Sequence, residues 1–154
     1  MQIRKLSLDD LELLIRLRID FLLEEGIVFT EAELADVRQN CREFFTTTIQ
    51  ANTFVAYVAQ KDEAVLSTAF LTLSNRPPRK AYQSFCVGTV YNVLTYLQYR
   101  RQGLATKVLT ALLQEAKALG VSSVDLLATK DGEELYDKLH FRAIELTPMR
   151  MEME

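Results

Sequence analysis

The chain offers little material for metal or covalent chemistry: 154 residues include one histidine, two cysteines and no tryptophan. Cys41 and Cys86 stand in unrelated contexts, without the paired spacings that hold zinc or a redox disulfide, so both read as small core side chains and no metal site is expected. Charge of one sign is also missing. The 18 basic and 21 acidic residues leave a formal net charge of -3, too weak a field to draw the chain to nucleic acid or an anionic membrane. No apolar run approaches the ~18 residues of a spanning helix, and the opening Met1-Gln2-Ile3-Arg4-Lys5-Leu6 lacks the apolar stretch of a secretory leader. A cytoplasmic location, away from membranes, is the default expectation.

What is present is the balance of a soluble globular protein, 49% hydrophobic and 25% charged. The length suits one domain over residues 1–154, with a substantial core. Ile3 to Leu6 alternates like a short strand. Ser7 and Asp9 are candidate caps for an amphipathic helix to about Glu25, with Leu11, Leu14, Ile15, Leu17, Phe21 and Leu22 at the helical period. Gly26 ends it, and the capping box Thr30-Glu31-Ala32-Glu33 opens a second helix to about Ala51, whose last turn is weakened by Thr46-Thr47-Thr48.

The period then changes. Phe54–Ala59 and Val65–Leu73 read as a hairpin about Lys61-Asp62-Glu63, and its second strand gives way to a basic loop at Ser74–Lys80, where two prolines remove ladder donors. Gly88–Thr95 is a strand, Gly103–Leu119 a helix stopped by Gly120, Val121–Ala128 a strand, Asp131–Leu139 a helix, and Phe141–Met153 one or two closing strands. The series is βααββ-βαβαβ, a mixed α/β fold without internal repeats.

Between a strand and a strongly amphipathic helix lies Arg100-Arg101-Gln102-Gly103-Leu104-Ala105-Thr106. A helix start exposes N–H groups that lack intrahelical partners and carries the positive end of the macrodipole, so a phosphate fits there. Gly103 and Ala105 keep the approach free of bulk, while Arg100, Arg101 and Lys107 add charge. The spacing is neither a P-loop nor G-x-G-x-x-G. The plainer alternative is a solvated basic turn that caps a core helix.

At these residues the chain resembles the GNAT superfamily of N-acetyltransferases, whose pyrophosphate segment reads Arg/Gln-x-x-Gly-x-Gly/Ala. Leu135-Tyr136-Asp137-Lys138-Leu139-His140-Phe141 is similar to the family's Leu-Tyr-x-Lys-x-Gly-Phe. The resemblance spans essentially the whole chain. It implies a mixed sheet with helices on both faces, splayed between the strand ending near Thr95 and the strand beginning near Val121. Acetyl-CoA would lie in that splay as co-substrate, its pantetheine paired with the backbone of Val93, Leu94 and Thr95, its pyrophosphate on the N–H groups from Arg101 to Thr106.

Acetyl transfer to an amine needs a neutral nucleophile, an N–H for the thioester oxygen and a proton for the leaving thiolate, but no enzyme nucleophile. By the resemblance, the backbone N–H at Leu94 polarises the thioester and Tyr136 is the general acid; the alternative for Tyr136 is a core aromatic. Many family members carry a carboxylate base on the strand before the phosphate segment, where this chain has Tyr91 and Asn92, leaving Glu24, Glu25 or a water chain. His140 stands in the family's helix-end glycine slot and reads as a left-handed residue rather than a catalyst. Leu97 replaces a frequent proline, and Thr129 an asparagine that contacts pantetheine. The expected acceptor is an amine of a small molecule or protein, its pocket formed by the first two helices, the Arg76–Val87 connection and the C-terminal strands, in a chain that the family's habits make a candidate homodimer. The other functional class is a catalytically idle acyl-CoA-binding sensor or interaction module.

Overall fold

The computed structural model describes residues 1–81 and 84–153. One five-stranded sheet, in sequential order β1 to β5, carries helices on both faces. Strand β1 (Gln2–Lys5) leads through a single 3-10 turn, Leu8–Asp10, into α1 (Leu11–Glu24). That turn is fixed by a capping box in which Ser7 Oγ accepts from Asp9 N–H while Asp10 accepts from Ser7 N–H. The expected box at Thr30 is present in full. Glu33 N–H donates to Thr30 Oγ1 at 3.2 Å and Thr30 N–H to Glu33 Oε2 at 2.8 Å, opening α2 (Glu31–Gln50).

The three threonines near the end of α2 do not loosen it. The helix runs unbroken through them, with Thr48 Oγ1 donating back to the Phe44 carbonyl at 2.6 Å. Tertiary packing of Phe45 and Ile49 on the sheet outweighs the weak local propensity of β-branched residues.

Strands β2 (Phe54–Lys61) and β3 (Ala64–Asn75) form the expected antiparallel hairpin, closed where Asp62 takes φ 53°. β3 continues two residues beyond its expected end before the proline loop begins. Its residues from Val65 to Leu71 are all buried because both faces are covered. β4 (Cys86–Thr95) pairs antiparallel with β3, and α3 (Leu104–Ala118) follows a second 3-10 turn, Leu97–Tyr99. On one face, α1 and α2 bury a phenylalanine cluster with centroid separations of 5.1 Å for Phe45–Phe54 and 5.7 Å for Phe45–Phe70. On the other, Val108, Leu109 and Leu112 of α3 cover Val55, Ala69 and Leu71.

The C-terminal third departs from expectation. β5 (Ser123–Asp125) has only three residues of the anticipated eight and pairs, in parallel, with Val87 to Thr89 of β4 alone. A 3-10 turn at Lys130–Gly132 precedes the short helix α4 (Glu133–Lys138). The closing strands expected over Phe141–Met153 are not formed among the described residues. Phe141 is held by its N–H to the Tyr136 carbonyl, but the alternating Ile144, Leu146, Met149, Met151 and Met153 beyond it are exposed. Strand patterning alone does not make a strand; it needs a neighbour to complete the ladder.

Truncating the phenylalanine cluster at its centre, Phe45→Ala, is expected to lower unfolding free energy by about 3–5 kcal/mol in urea titration, because Phe45 is fully enclosed by rings that cannot collapse together.

Candidate active site

Beyond Thr89, β4 runs on without β5 beside it, and the divergence opens a cleft of about 600 Å3. Val93, Leu94 and Thr95 line one wall, Phe21 of α1 another, and Tyr136 of α4 a third. Backbone left without a ladder partner along such an edge can pair with an extended amide-bearing molecule.

The mouth of the cleft is the start of α3. Arg101 and Gly103 take left-handed φ values of 62° and 72°, which curl the turn tightly into the helix. A Cβ on Gly103 would meet nothing within 4 Å, so the backbone conformation, and not crowding by the protein, calls for glycine. The first backbone bond of α3 runs from Lys107 N–H to the Gly103 carbonyl at 3.2 Å, leaving the N–H groups of Leu104, Ala105 and Thr106 without helical partners. All three residues line the cleft. Leu104 contributes backbone only, since its side chain is buried against α3's own core.

Of the charges expected here, Arg100 lines the cleft with its guanidinium already engaged, and Lys107 lies outside it. Arg100 donates from Nε to the Thr95 carbonyl at 2.9 Å and forms an ion pair with Glu24, so it braces the strand exit against α1 and its charge is largely neutralised. Thr95 thus has its carbonyl engaged and its hydroxyl 2.8 Å from Ser67 Oγ. Gln102 and Lys107 do not line the cleft; both are exposed. Besides the paired Arg100, Arg101 and Lys138 supply cations on its walls, Lys138 being shared with Glu134 at 2.9 Å.

Tyr136 packs as a core aromatic and also faces the cleft. Its ring packs edge-on to Phe141 at 5.8 Å and lies so close over Gly132 that a Cβ there would be 3.0 Å from Cε2. Its hydroxyl has no hydrogen-bond partner among the described residues and the side chain lines the cleft. Burial pushes the phenol above its ordinary range.

An unanticipated feature lies one residue before the cleft. In the β3–β4 ladder Thr68 faces Leu94 and Phe70 faces Tyr91, so Ala69 alone opposes both Asn92 and Val93, a β-bulge with Asn92 at φ 57°. The bulge turns Asn92, 2% exposed, toward α1. There Nδ2 donates to the Leu17 carbonyl at 3.1 Å, and Oδ1 accepts from Arg18 Nη1 at 3.3 Å. Tyr91 and Arg18 then line a second cavity, of about 610 Å3, between α1, α2 and the sheet. The sequence carried a signal for Arg18: it sits in the Leu14, Phe21, Leu22 stripe, where a charge interrupts an otherwise apolar face.

Three acids line the cleft: Glu24 and Glu134 are ion-paired, and Asp131, in the turn before α4, has no partner among the described residues. Glu24 pairs with Arg100, Asp20 accepts from the Tyr96 hydroxyl, and Glu25 is exposed. His140 ends α4 in the left-handed conformation its position implied, at φ 69°, and is exposed. Thr129 lines the cleft and Leu97 is exposed beside the turn. The Arg76–Val87 connection passes through Tyr82 and Gln83, outside the described residues; Arg76 itself forms an ion pair with Asp125 at 2.6 Å. Among the described residues no cluster of metal-ligating side chains occurs, and no helix is long and apolar enough to cross a membrane.

Comparison with known proteins agrees with this architecture. The chain is similar in structure to a predicted acetyltransferase from Clostridium acetobutylicum solved with acetyl-CoA, with TM-score 0.85 and 26% identity over 97% of this chain and 95% of that one. A GCN5-related N-acetyltransferase from Ralstonia eutropha JMP134 matches with TM-score 0.81 and 21% identity over 97% of each chain. Glucosamine-6-phosphate N-acetyltransferase from Arabidopsis thaliana matches with TM-score 0.71 and 17% identity, again over 97% of each. Among curated proteins no sequence relative was found. The model of the Acetyltransferase (GNAT) family matches residues 14–141, and the chain therefore belongs to the GNAT family of acetyltransferases.

Proposed function

We propose that this chain, acting as one domain over residues 1–154, transfers the acetyl group of acetyl-CoA to a primary amine by direct attack in a ternary complex. The observation that carries the reading is the set of unpaired N–H groups at Leu104, Ala105 and Thr106, placed at the mouth of a cleft whose wall is the open edge of β4. A diphosphate fits that helix start, and an extended arm carrying amides fits the strand edge. The acetyl-CoA bound by the Clostridium acetobutylicum relative supports the same co-substrate here, and a cytoplasmic location is part of the same proposal.

When bound, acetyl-CoA supplies a thioester whose acyl carbon accepts the amine and whose sulfur leaves. The chain's own residues do the rest. Gly103 and Ala105 keep the helix start clear for phosphate, and Gln102 and Arg101 complete the turn that aims it. Val93 and Thr95 hold the arm along β4. The N–H at Leu94 stabilises the developing oxyanion, and the Tyr136 hydroxyl gives its proton to the thiolate. Among the described residues no carboxylate or imidazole lines the second cavity, and the one unpaired carboxylate of the cleft, Asp131, stands in the turn before α4, away from the β4 bulge in sequence; on this reading the amine enters as its neutral fraction and loses its second proton to water.

The decisive experiment combines cofactor binding with turnover. Acetyl-CoA should raise Tm by mass action, and CoA should be released with a panel of primary amines. Binding without turnover across the panel would mark a sensor instead. Gly103→Glu is expected to weaken acetyl-CoA binding at least about tenfold, by placing bulk and like charge at the diphosphate position; undiminished affinity in calorimetry would displace the site from α3.

Tyr136→Phe should lower kcat about a hundredfold, within the range of general acid catalysis, with acetyl-CoA affinity unchanged. Because burial raises the phenol and the acid form is the active one, the wild-type rate per neutral amine should hold as pH rises and fall only above pH ~10. A high-pH limb that survives in the phenylalanine variant would remove Tyr136 from the proton transfer.

We propose further that two copies pair as a homodimer through residues 141–153. Within this segment Ile144–Leu146 and Met149–Met153 alternate apolar and charged side chains as a strand does, and the segment lies exposed outside the sheet and comes after a sheet that ends on the three-residue β5. Light scattering should give twice the chain mass for the full protein and the monomer mass for a chain ending at Phe141. A monomeric full-length chain would refute the pairing.

A further inference from the structure

The second cavity bears on the acceptor, on the footing that the chain is an acetyltransferase. We infer that the acceptor is an α-amino acid with an apolar or aromatic side chain, its carboxylate on Arg18 and its side chain among the phenylalanines of the cavity.

The bulge puts Tyr91 and Asn92 on the α1/α2 face, while Val93, the next residue, lines the cofactor cleft. On α1 the same step recurs: Arg18 lines the second cavity, and Phe21, whose ring lies 5.5 Å beneath the Arg18 guanidinium carbon, lines the cleft. One residue of β4 and one turn of α1 therefore separate the two spaces, and an amine reaching the acyl carbon from the cavity side passes the Asn92–Arg18 contact.

The walls of the cavity set its chemistry. Val37, Phe44, Phe45, Phe54 and Phe70 make it strongly apolar, and Arg18 is the one charged side chain among the described residues lining it. The contacts of Arg18 are neutral, the Asn92 carboxamide oxygen at 3.3 Å and the Phe21 ring, and it has no carboxylate partner among the described residues. A half-buried guanidinium held against an apolar space without a counterion gains most from a planar carboxylate, which it can meet with two parallel bonds. A carboxylate so placed leaves an α-amine two bonds away, beside the bulge, and sends the side chain into the phenylalanine-lined space. A polycationic acceptor would meet like charge at Arg18 and no acid to bind it.

The transfer then forms an N–C bond to the acyl carbon as the C–S bond breaks. One ammonium proton has left to water before attack and the second leaves to water as the amide forms, while the thiolate takes one proton from Tyr136, whose phenolate regains a proton from solvent. The products are an N-acetyl amino acid and CoA.

Steady-state assays with L-phenylalanine, phenethylamine and glycine, compared per neutral amine, test this. The kcat/KM for L-phenylalanine should exceed both others by about ten- to a hundredfold, the loss expected when a charge-assisted contact or the apolar contact is missing. Arg18→Gln should bring L-phenylalanine down to the level of phenethylamine while changing phenethylamine less than about twofold, and Arg18→Lys should restore part of the difference. Equal use of L-phenylalanine and phenethylamine by the wild type, or an equal fall of both in Arg18→Gln, would overturn the assignment. Continued acetyl-CoA binding with turnover of any amine would then leave the acetyltransferase reading standing, whereas no acetyl-CoA binding would remove both.

Discussion

The parting of β4 from β5 after Thr89 is the constraint on which the rest of the molecule depends. A parallel strand left without its neighbour exposes backbone groups that folding would otherwise satisfy, and here six residues of β4, from Val90 to Thr95, continue past the last paired position. Such an edge survives because β3 holds β4 along its other side and α1 packs across it, with the buried Asn92 carboxamide tying strand to helix. The same opening gives α3 a clear approach at its N-terminus. Cleft, helix start and bulge are thus one arrangement, in which a failure of β4 to diverge would remove them together.

Charge in this region is used first for architecture. Arg100 closes the exit of β4 by joining the Thr95 carbonyl to Glu24 on α1, which fixes the turn leading into Gly103. The partial positive charge of the helix start and the nearby Arg101 are then left to face the cleft. Arg18 shows the complementary case, a cation held by neutral groups on the far side of the bulge. The two arginines of different fate divide α1 into an end that supports the first cleft and a middle that faces the second cavity.

Much of this was legible in residue order. The capping box at Thr30, the hairpin about Asp62, the left-handed end of α4 at His140 and the helix opening after Gly103 are local devices, decided by atoms within four or five residues of one another. Less legible were features that depend on a neighbour brought from far along the chain. The threonines of α2 are helical because Phe45 and Ile49 find the sheet; the Phe141–Met153 pattern is strand-like, yet no described strand lies beside it.

The sequence by itself determined a mixed α/β chain with a phosphate-suited helix start at Arg100 to Thr106 and a tyrosine in a family-like setting, because glycine conformation, unpaired N–H groups and hydrophobic period act over short range. Only the tertiary structure decided which of those groups meet. It turned Arg100 toward Glu24, kept Gln102 and Lys107 out of the cleft, and set Asn92 and Arg18 between two cavities. Those outcomes depend on a bulge whose register is defined across β3 and β4, and on a helix whose facing is set by packing; neither quantity is written in any short stretch of residues.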